Sequence, residues 1–441
     1  MKRRDFLASS LLSSLPLAWA STACAQSTEK PLPFTPELGA SLEVFRWKRY
    51  IDEDEEQYMA NVELFTKLTG VKVKVTHINV LELQWAIDAI YFGRKKADIV
   101  LGLDGEAYRY KDLWLQVNDL EKSLKPQIGS WDPIANSYLQ ANGKDWMGIP
   151  LGMAGNSCYQ RISYLKQAGF SQMPQDSAGF LELCKSLKSI GKPAGFALYQ
   201  SKAEGNCFAY WMLWAFGGYP LNPFNQVSIE SAETLAALEY AKKLYRELIP
   251  GCLEWGDVHN NQFYLNDQIS LTYNGMNLYS GVADFGDEAQ QKIIQDTHCG
   301  TLPKNAQGQY IESGFFLNQL IHKKAKFPNA AKAFIYFMMQ PKQYNTWITA
   351  SQGFISAPCT AYDNNPVWQK SPIVTAFKDA GTTTRPFTWG GKPGLPFSRI
   401  RGNMMVAKMF ADVIQEKETP RDAMRIWAQR MELIARRGDE V

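Results

Sequence analysis

Aromatic, amide and charged side chains are concentrated directly after several predicted strands. Trp47 and Arg49 follow the first strand, and Asp104 follows the third. Sugars present C–H faces that stack on aromatic rings, and hydroxyl groups that bond to carboxylates, amides and guanidinium groups. The residue types therefore favour a binding site for a polyhydroxylated ligand.

The candidate ligand-binding side chains come from distant parts of the chain. They are Trp47, Arg49, Asp104, Asn156, Asn206, Tyr210, Trp211, Asn277, Trp389 and Arg399. Both Arg399 and Arg401 could bind a carboxylate or phosphate bidentately, although arginines in surface loops are usually solvated. Of the two, Arg399 is the predicted ligand-binding residue.

Some of these residues also have purely structural interpretations. Asp104 precedes Gly105 and could serve as a turn or helix N-cap residue. Trp211 begins a continuous apolar run that ends at Phe216, where a tryptophan belongs to a core as readily as to a ligand site. Trp214, in the same run, is predicted to be a core residue.

Alternating strands and amphipathic helices would position these side chains. Strands are predicted over 42–47, 71–75 and 97–102, with helices over 55–69 and 81–92 between them. Gly70 follows the first helix where a C-terminal cap is expected. The order predicts a parallel α/β sheet, which binds ligands beyond the carboxyl ends of its strands.

At this point the sequence resembles a known family. The matching segments, in chain order, are the run from Leu42 to Leu120 with FTKLTGVKV and ADIV, then WMGIPLG at 146–152, ISLTYNG at 269–275, Leu302-Pro303, NAAKAFIYF at 329–337 and TPRDA at 419–423. Together they resemble the family 1 extracellular solute-binding proteins of ABC importers, the group that contains maltose-binding protein.

The resemblance implies a two-lobed periplasmic-binding-protein fold of type II. Each lobe would be a mostly parallel sheet flanked by helices, with a cleft between the lobes. Residues 41–150 plus 300–345 would form lobe 1, and residues 151–299 plus 346–441 would form lobe 2, after an extended leader at 26–40. Predicted helices at 231–248 and 420–436 would belong to lobe 2.

The same resemblance implies a function. The chain would be the periplasmic substrate-binding component of an ABC importer, a monomer that closes on a carbohydrate and delivers it to the permease. Residues 47–49, Asp104, Tyr210, Trp211 and Asn277 would hold the sugar. Two departures, at 152–156 and at 276–277, argue against maltose and for a different, smaller or more polar ligand.

The amino terminus predicts export. Arg3-Arg4, followed by Asp5-Phe6-Leu7 and an apolar stretch, indicates a signal for the twin-arginine export machinery, with cleavage expected after Ala25 and a periplasmic location. A lipoprotein acylated at Cys24 is the alternative.

Composition limits the partners and the chemistry. The formal charge of +3 includes three cations of the signal, so the mature chain is nearly neutral, and nucleic acid and membrane surfaces are unfavoured partners. Six cysteines remain after the signal, and they could pair or stay as single buried thiols. Their spacings match neither a metal knuckle nor a redox pair, and no cofactor or metal is expected.

A secreted carbohydrate-active or cofactor-dependent enzyme, exported folded, is the alternative function. The sequence contains none of the common serine-hydrolase, dinucleotide, Walker A or zinc-protease motifs. Asp104, Glu106, Glu204 and Glu312 could still approach one another as glycosidase carboxylates. The acidic run at 52–56 is better explained as negative charge at a helix N-terminus than as a calcium loop.

Overall fold

The computed structural model describes residues 32–49, 51–79, 82–140 and 142–436. The described residues from Pro33 onward belong to one compact unit. The predicted signal peptide, its cleavage site and Cys24 lie outside the described residues.

The strands are β1 Ser41–Trp47, β2 Lys72–Ile78, β3 Ile99–Leu103, β4 Ile149–Arg161, β5 Leu271–Gly275, β6 Thr297–Gly300 and β7 Gly314–Ile321. The helices of the first half are α1 Asp52–Thr69, α2 Leu83–Tyr91, α3 Glu106–Arg109, α4 Asn118–Ile128, α5 Pro133–Leu139, α6 Ile162–Gln167, α7 Ser177–Ser189, α8 Glu204–Ala215 and α9 Ala232–Glu247.

The later helices are α10 His259–Leu265, α11 Asn277–Phe285, α12 Glu288–Gln295, α13 Pro328–Met338, α14 Pro341–Ala350, α15 Pro372–Ala376, α16 Ala380–Thr383, α17 Leu395–Gly402, α18 Met405–Ile414 and α19 Pro420–Arg436. Short 3-10 turns lie at Lys111–Leu113, Cys252–Glu254, Thr360–Tyr362 and Pro366–Gln369.

The predicted β-α-β-α-β segment is confirmed. Strand β1 pairs in parallel with β2 along its whole length and with β3 at Val44 and Phe45. Helix α1 ends at Gly70, which has φ of 74° and whose N–H donates to the carbonyl of Thr66. This left-handed conformation suits glycine, as the cap prediction required.

Strand β4 connects two regions of the sheet. Its first half, from Ile149 to Gly155, pairs with β7, which in turn pairs with β3. Its second half, from Asn156 to Arg161, pairs with β5 and β6. A shift in register between Pro150 and Gly152 lies in the first half. The strand therefore passes from the sheet of β1–β3 into a second set of strands.

The second set of strands departs from the mostly parallel arrangement that was expected. Both β5 and β6 pair antiparallel with β4, which lies between them. A parallel bridge between Ala194 and Leu271 adds a short segment beside β5. In the first region, β7 is likewise antiparallel to β3 and β4.

The apolar run at 211–216 has no polar face because most of it lies in α8, a helix that is buried on all sides. Every one of its residues, from Glu204 to Ala215, is buried. A helix that is apolar on all sides is covered on all sides.

Ser231 and Asp176 cap α9 and α7 by accepting backbone N–H bonds from Thr234 and Gly179.

Burial extends to the cysteines and to many aromatic rings. All six cysteines in the described part of the chain are buried free thiols, so no disulfide forms among them. Burial raises the pKa of the Cys207 thiol to about 12, which keeps it protonated.

No helix in the described ranges is long and apolar enough to cross a membrane.

Candidate ligand-binding site

Asp104 is held rigidly at the carboxyl end of β3. Its carboxylate Oδ1 accepts the backbone N–H of Phe316 at 2.9 Å, and its own N–H donates to the carbonyl of Phe316 at 2.7 Å. The side chain of Asn318 donates to the Asp104 carbonyl at 3.1 Å. Asp104 also has φ of 47°, a left-handed conformation that is uncommon outside glycine and that these bonds maintain.

Arg401, from the end of α17, pairs with this carboxylate. Its Nη2 atom lies 2.6 Å from Asp104 Oδ2, and the Asp104 side chain is only 3% exposed. The guanidinium carbon lies 4.1 Å from the centroid of the Phe387 ring and 5.6 Å from that of Phe315. Burial raises the pKa of Asp104, while the Arg401 charge and the Phe316 N–H oppose that rise. A buried pair of this kind depends on both partners.

Helix α8 brings two further polar side chains to Arg401. Asn206 is 4% exposed and donates through Nδ2 to the Arg401 carbonyl at 3.4 Å. The Tyr210 side chain is fully buried, and its ring lies edge-on to Phe387 at 5.0 Å. Tyr138 of α5 completes the group, since its hydroxyl accepts the backbone N–H of Phe387 at 2.8 Å.

Besides Asp104 Oδ2, which is held by the ion pair with Arg401, three buried polar atoms in this group have no hydrogen-bond partner among the described residues. They are Oδ1 of Asn206, the hydroxyl of Tyr210 and Nε of Arg401. A buried polar atom without a partner costs about 1–3 kcal/mol, so folded proteins rarely keep several in one place unless a ligand or water satisfies them. The Asp104 cluster, defined as Asp104, Asn206, Tyr210 and Arg401, thus offers donors and acceptors to a hydroxyl-bearing ligand.

Glu106, just beyond Asp104, is a second acidic group near the cluster. Burial raises the pKa of its carboxyl to about 7, and Arg109 opposes the rise. Arg109 lies 3.5 Å from Glu106 and 2.9 Å from Asp88, which links α3 to α2.

Trp211 is a core residue rather than a ligand-facing one. It is fully buried, its indole N–H donates to the carbonyl of Pro303 at 3.0 Å, and its ring stacks on Phe208. The prediction of a ligand-facing Trp211 is corrected on this point, because α8 turns that side of the helix toward packed aromatic rings. Trp214 is fully buried, as predicted.

Arg399 does not join the cluster, whereas Arg401 does. Arg399 Nη1 donates to the carbonyl of Ile434 in α19 at 3.2 Å. Two residues apart on a helix point to nearly opposite sides, so only one of the pair could face Asp104. Arg401, rather than the selected Arg399, is therefore the arginine that the structure places at Asp104.

Trp47 contacts its neighbour Arg46 at the end of β1, and Arg49 contacts acidic residues of α1. Trp47 is 3% exposed, with the Arg46 guanidinium 4.9 Å from its ring. Arg49 is exposed and pairs with Asp52 and, at 3.6 Å, with Glu55. The structure therefore does not bring these two candidates to the Asp104 cluster.

Asn156 and Asn277 meet on either side of Gly275. Asn156 lies opposite Gly275 in the β4–β5 pairing and donates to the Ser313 carbonyl at 2.9 Å. A Cβ atom built on Gly275 would lie 2.8 Å from Asn277 Oδ1 and 3.6 Å from Asn156 Oδ1. The two amides form a half-buried polar pair at the start of α11.

Trp389 occupies a half-buried position beside the cluster. Its ring contacts Trp214 at 5.6 Å and Tyr219 at 5.7 Å, both edge-on, and the Arg385 guanidinium lies 5.7 Å from it. Because Trp214 also contacts Tyr210 at 5.2 Å, the aromatic packing connects Trp389 to the cluster.

Sequence reasoning did not identify Tyr138, Phe315 and Phe387. They contact Asp104 or Arg401 only through the tertiary fold, and no local spacing indicated it. The described residues contain no group of three or more His, Cys, Asp and Glu side chains that could hold a metal ion.

A surface groove lies elsewhere on the described part of the chain. It has a volume of about 630 Å³ and is lined by polar residues of α1, α14 and the turn at 361–366. Several of its amides already bond to one another; Asn365 Nδ2, for example, donates to the Asn345 carbonyl at 3.0 Å. The Asp104 cluster is the stronger candidate, because its polar atoms are buried and still lack partners.

The fold is shared with solved sugar-binding proteins. The sugar-binding protein MalE from Xanthomonas citri superposes with a TM-score of 0.75 at 14% identity, over 91% of this chain and 98% of that chain. Maltose-bound MalE3 of T. maritima gives 0.71 at 15% identity, over 89% and 99%. A laminaribiose-bound sugar transporter from Arthrobacter chlorophenolicus A6 gives 0.70 at 15%, over 90% and 99%.

These likenesses confirm the predicted two-lobed α/β fold class. No curated protein matches the chain. The sequence pattern of the family described as bacterial extracellular solute-binding protein matches residues 60–376, most of the 441-residue chain. This match confirms the resemblance seen in the sequence. The chain belongs to the family of bacterial extracellular solute-binding proteins.

Proposed function

We propose that the protein binds a carbohydrate between its two lobes and delivers it to the permease of an ABC importer. Family membership supports solute binding, and the structural neighbours solved with bound maltose or laminaribiose support a sugar as the solute. An acarbose-binding receptor of Streptomyces glaucescens, with a TM-score of 0.68 at 15% identity over 91% of this chain and all of that chain, adds to this support.

One observation carries the proposal. Asn206 Oδ1, Tyr210 hydroxyl and Arg401 Nε are buried, unpartnered and gathered around the Asp104–Arg401 pair. Sugar hydroxyls both donate and accept, so they can satisfy an amide oxygen, a phenol and a guanidinium N–H together. The Phe387 and Phe315 rings beside Arg401 supply the apolar surface that C–H faces require.

The ligand would contact both lobes. Asp104 follows β3 of the first sheet, whereas α8 and α17 pack with α18, α9 and α19. Asn156, Asn277 and Trp389 remain proposed contacts, since each is half-buried and carries a group suited to a sugar. Closure that buries a ligand against both lobes stabilises the closed state by the differential contacts.

The proposed lobes follow the strand pairing, with one adjustment. Strand β4 is the first crossing, and the chain returns between β6 and β7. Helix α14 stays beside α1, because Asn61 donates to the Gln343 carbonyl at 3.1 Å and Trp347 donates to Asp54 at 2.5 Å. We therefore place the last crossing after Ala350, later than residue 345. The hinge would include β4 near Gly152, where a Cβ atom would lie 2.3 Å from Ile355 Cγ2.

Export by the twin-arginine machinery to the periplasm, cleavage after Ala25 and a monomeric state complete the proposal. Arg3-Arg4 and the apolar stretch that follows support the export route. The family description supports an extracellular or periplasmic location.

No specific observation favours the enzyme alternative. The carboxylate of Glu312 accepts the Tyr273 hydroxyl at 2.6 Å and the Leu302 N–H at 2.5 Å. Glu204 accepts the Ser201 hydroxyl at 3.2 Å. Both carboxylates are therefore engaged in bonds that hold loops to α8 and β5, and capture rather than bond cleavage is the proposed chemistry.

Thermal unfolding against a ligand panel tests the proposal. The panel contains mono-, di- and oligosaccharides, polyols and sugar phosphates, with amino acids and polyamines as controls. A ligand at about 100 times its Kd adds roughly 2.7 kcal/mol and raises Tm by a few degrees. A rise with one carbohydrate class supports the proposal, whereas a rise with an amino acid or polyamine alone overturns the choice of sugar.

A further inference from the structure

The end of the first sheet that lies opposite Asp104 carries a concentration of exposed cations. Arg94, Lys95 and Lys96 precede β3, and Lys323, Lys324 and Lys326 follow β7. Since β7 runs antiparallel to β3, the start of one strand lies beside the end of the other. The His322 N–H donates to the Asp98 carbonyl at 2.9 Å, which fixes the two segments side by side.

A third segment joins the same place. The Lys323 N–H donates to the Leu113 carbonyl at 2.8 Å, and this brings Lys111, in the turn before Leu113, close to the other cations. We call the resulting surface the basic edge. Its members are Arg94, Lys95, Lys96, Lys111, Lys323, Lys324 and Lys326, and all of them are exposed.

The charges of the basic edge are not neutralised locally. None of its members forms an ion pair with a carboxylate in the described part of the chain, although ion pairs are frequent elsewhere on the molecule. Two carboxylates, Asp98 and Asp112, lie in the same segments, and Asp98 is engaged by the Glu43 N–H at 2.8 Å. The local charge is therefore strongly positive, although the whole chain is almost neutral.

Exposed aromatic rings adjoin these cations. Phe92 is 58% exposed and Tyr91 is 48% exposed, both at the end of α2. Tyr91 stacks on Tyr110 with ring centroids 4.0 Å apart, and the Arg94 guanidinium lies 5.7 Å from the Phe92 ring. Large rings kept in solvent beside unpaired cations indicate a surface that is covered by something else.

We propose that the basic edge docks the protein onto the surface of an anionic lipid bilayer. Lysines and arginines attract anionic headgroups, and aromatic rings settle at the membrane–water interface. Most members of the basic edge are lysines. Lysine is depleted in protein–protein interfaces, and arginine is preferred for bidentate recognition of phosphates and bases, so a diffuse layer of lipid charge is the partner that fits best.

Docking here is peripheral and leaves the ligand site free. Asp104 lies at the carboxyl end of β3 and the basic edge at its amino end, so the two surfaces are separated by the length of the strand. Composition alone disfavoured a membrane surface, because the cations come from three segments that only the fold brings together. The proposal is independent of the ligand that the cleft binds.

Co-sedimentation with vesicles tests the proposal on residues 26–441, the predicted mature chain. One set of vesicles is phosphatidylcholine, and the other contains phosphatidylglycerol as well. We expect binding to the anionic vesicles alone, weakened by high salt because exposed charges are screened. The variant Lys95→Gln, Lys96→Gln, Lys323→Gln, Lys324→Gln should lower the partition coefficient by roughly 100-fold or more.

A matched variant controls for net charge. Lys166→Gln, Lys202→Gln, Lys243→Gln and Lys417→Gln removes the same number of exposed lysines outside the basic edge and should keep full binding. Phe92→Ala should weaken binding several-fold, whereas Phe285→Ala, which removes a ring that is 90% exposed elsewhere, should not. Thermal unfolding of each variant confirms that the fold is retained.

Three results would overturn the proposal. The first is an absence of binding to anionic vesicles by the unaltered chain. The second is equal loss of binding in the basic-edge variant and in its charge-matched control. The third is retention on an acidic polypeptide or nucleic acid through the basic edge without any binding to vesicles, which would assign the surface to a macromolecule instead.

Discussion

Asp104 and Arg401, from distant parts of the chain, form an ion pair with 2.6 Å between Oδ2 and Nη2, in which the Asp104 carboxylate is buried. The pair joins the carboxyl end of β3 to the last turn of α17. Its position beside unpartnered groups of Asn206 and Tyr210 makes it the centre of the proposed ligand site.

Replacement of Arg401 tests both the stability and the binding role of the pair. Arg401→Met leaves a buried carboxylate without its partner, so the free energy of unfolding should fall by about 3–5 kcal/mol, measured by urea denaturation. Adding Asp104→Asn should recover part of that loss, yet the double variant should not bind sugar. Arg399→Met, on the same helix, should cost about 1 kcal/mol and keep binding. Equal binding by Arg401→Met and Arg399→Met would contradict the assignment.

Tyr210→Phe separates a ligand contact from a structural one. The Tyr210 hydroxyl is buried without a partner, so its removal should leave the unfolding free energy of the ligand-free protein unchanged or slightly higher. Sugar affinity should fall by about 1–3 kcal/mol, or roughly 5- to 150-fold, in a calorimetric titration.

Tyr273→Phe is the matched control for this experiment. Its hydroxyl donates to Glu312 at 2.6 Å, so the variant should lose about 1–3 kcal/mol of stability without ligand. If Tyr210→Phe destabilises the ligand-free protein as much as Tyr273→Phe does, the Tyr210 hydroxyl has a structural partner and the interpretation fails.

Trp211→Phe should affect stability and leave binding intact. The change removes an indole donor to the Pro303 carbonyl and part of a fully buried ring, so we expect a loss of about 1–3 kcal/mol. The Kd for the sugar should change less than twofold when measured below the unfolding transition. A large loss of affinity in a folded Trp211→Phe protein would restore the sequence-based assignment of this residue to the cleft.

Glu312 should make stability depend on pH near neutrality. Burial raises its pKa from 4.5 to about 7, so folding favours the protonated form. This contribution to stability is complete below the unfolded pKa and is lost as the pH rises through about 7. Between roughly pH 5 and pH 8 the unfolding free energy should therefore decline by up to about 3 kcal/mol through this group.

Glu312→Gln isolates that contribution. Glutamine keeps an acceptor for the Leu302 N–H and does not titrate. Glu106 and Glu204, whose pKa values burial also raises to about 7, remain in both proteins and cancel in the comparison. Urea unfolding at the two pH values should show a smaller decline in the variant, and an identical decline in both proteins would refute the prediction.

Local signals predicted much of the fold. The positions of β1 and β2, the Gly70 cap of α1 and the bounds of α19 depend on nearby residues, and the structure reproduces them. The direction of strands beside β4 depends on where distant segments return, so the expectation of parallel pairing throughout was only partly correct.

The site was less predictable for related reasons. The end of β3 could be identified from the strand order, which is why the sequence already indicated Asp104 as a candidate. Arg399 and Arg401 lie on different sides of α17. No helix was predicted there from the sequence, so the directions of the two side chains could not be distinguished. Helix α8 is buried on every side, so periodicity could not separate Asn206 and Tyr210, which belong to the proposed site, from Trp211.

Calorimetric titration of the purified mature protein with the sugar selected by the thermal panel tests whether the Asp104 cluster binds the ligand. We predict saturable binding of one ligand by the unaltered protein, and none by the Asp104→Asn, Arg401→Met variant at a temperature where it is folded. Binding of the same sugar with unchanged Kd by that variant would show that the ligand site lies elsewhere and would contradict the account.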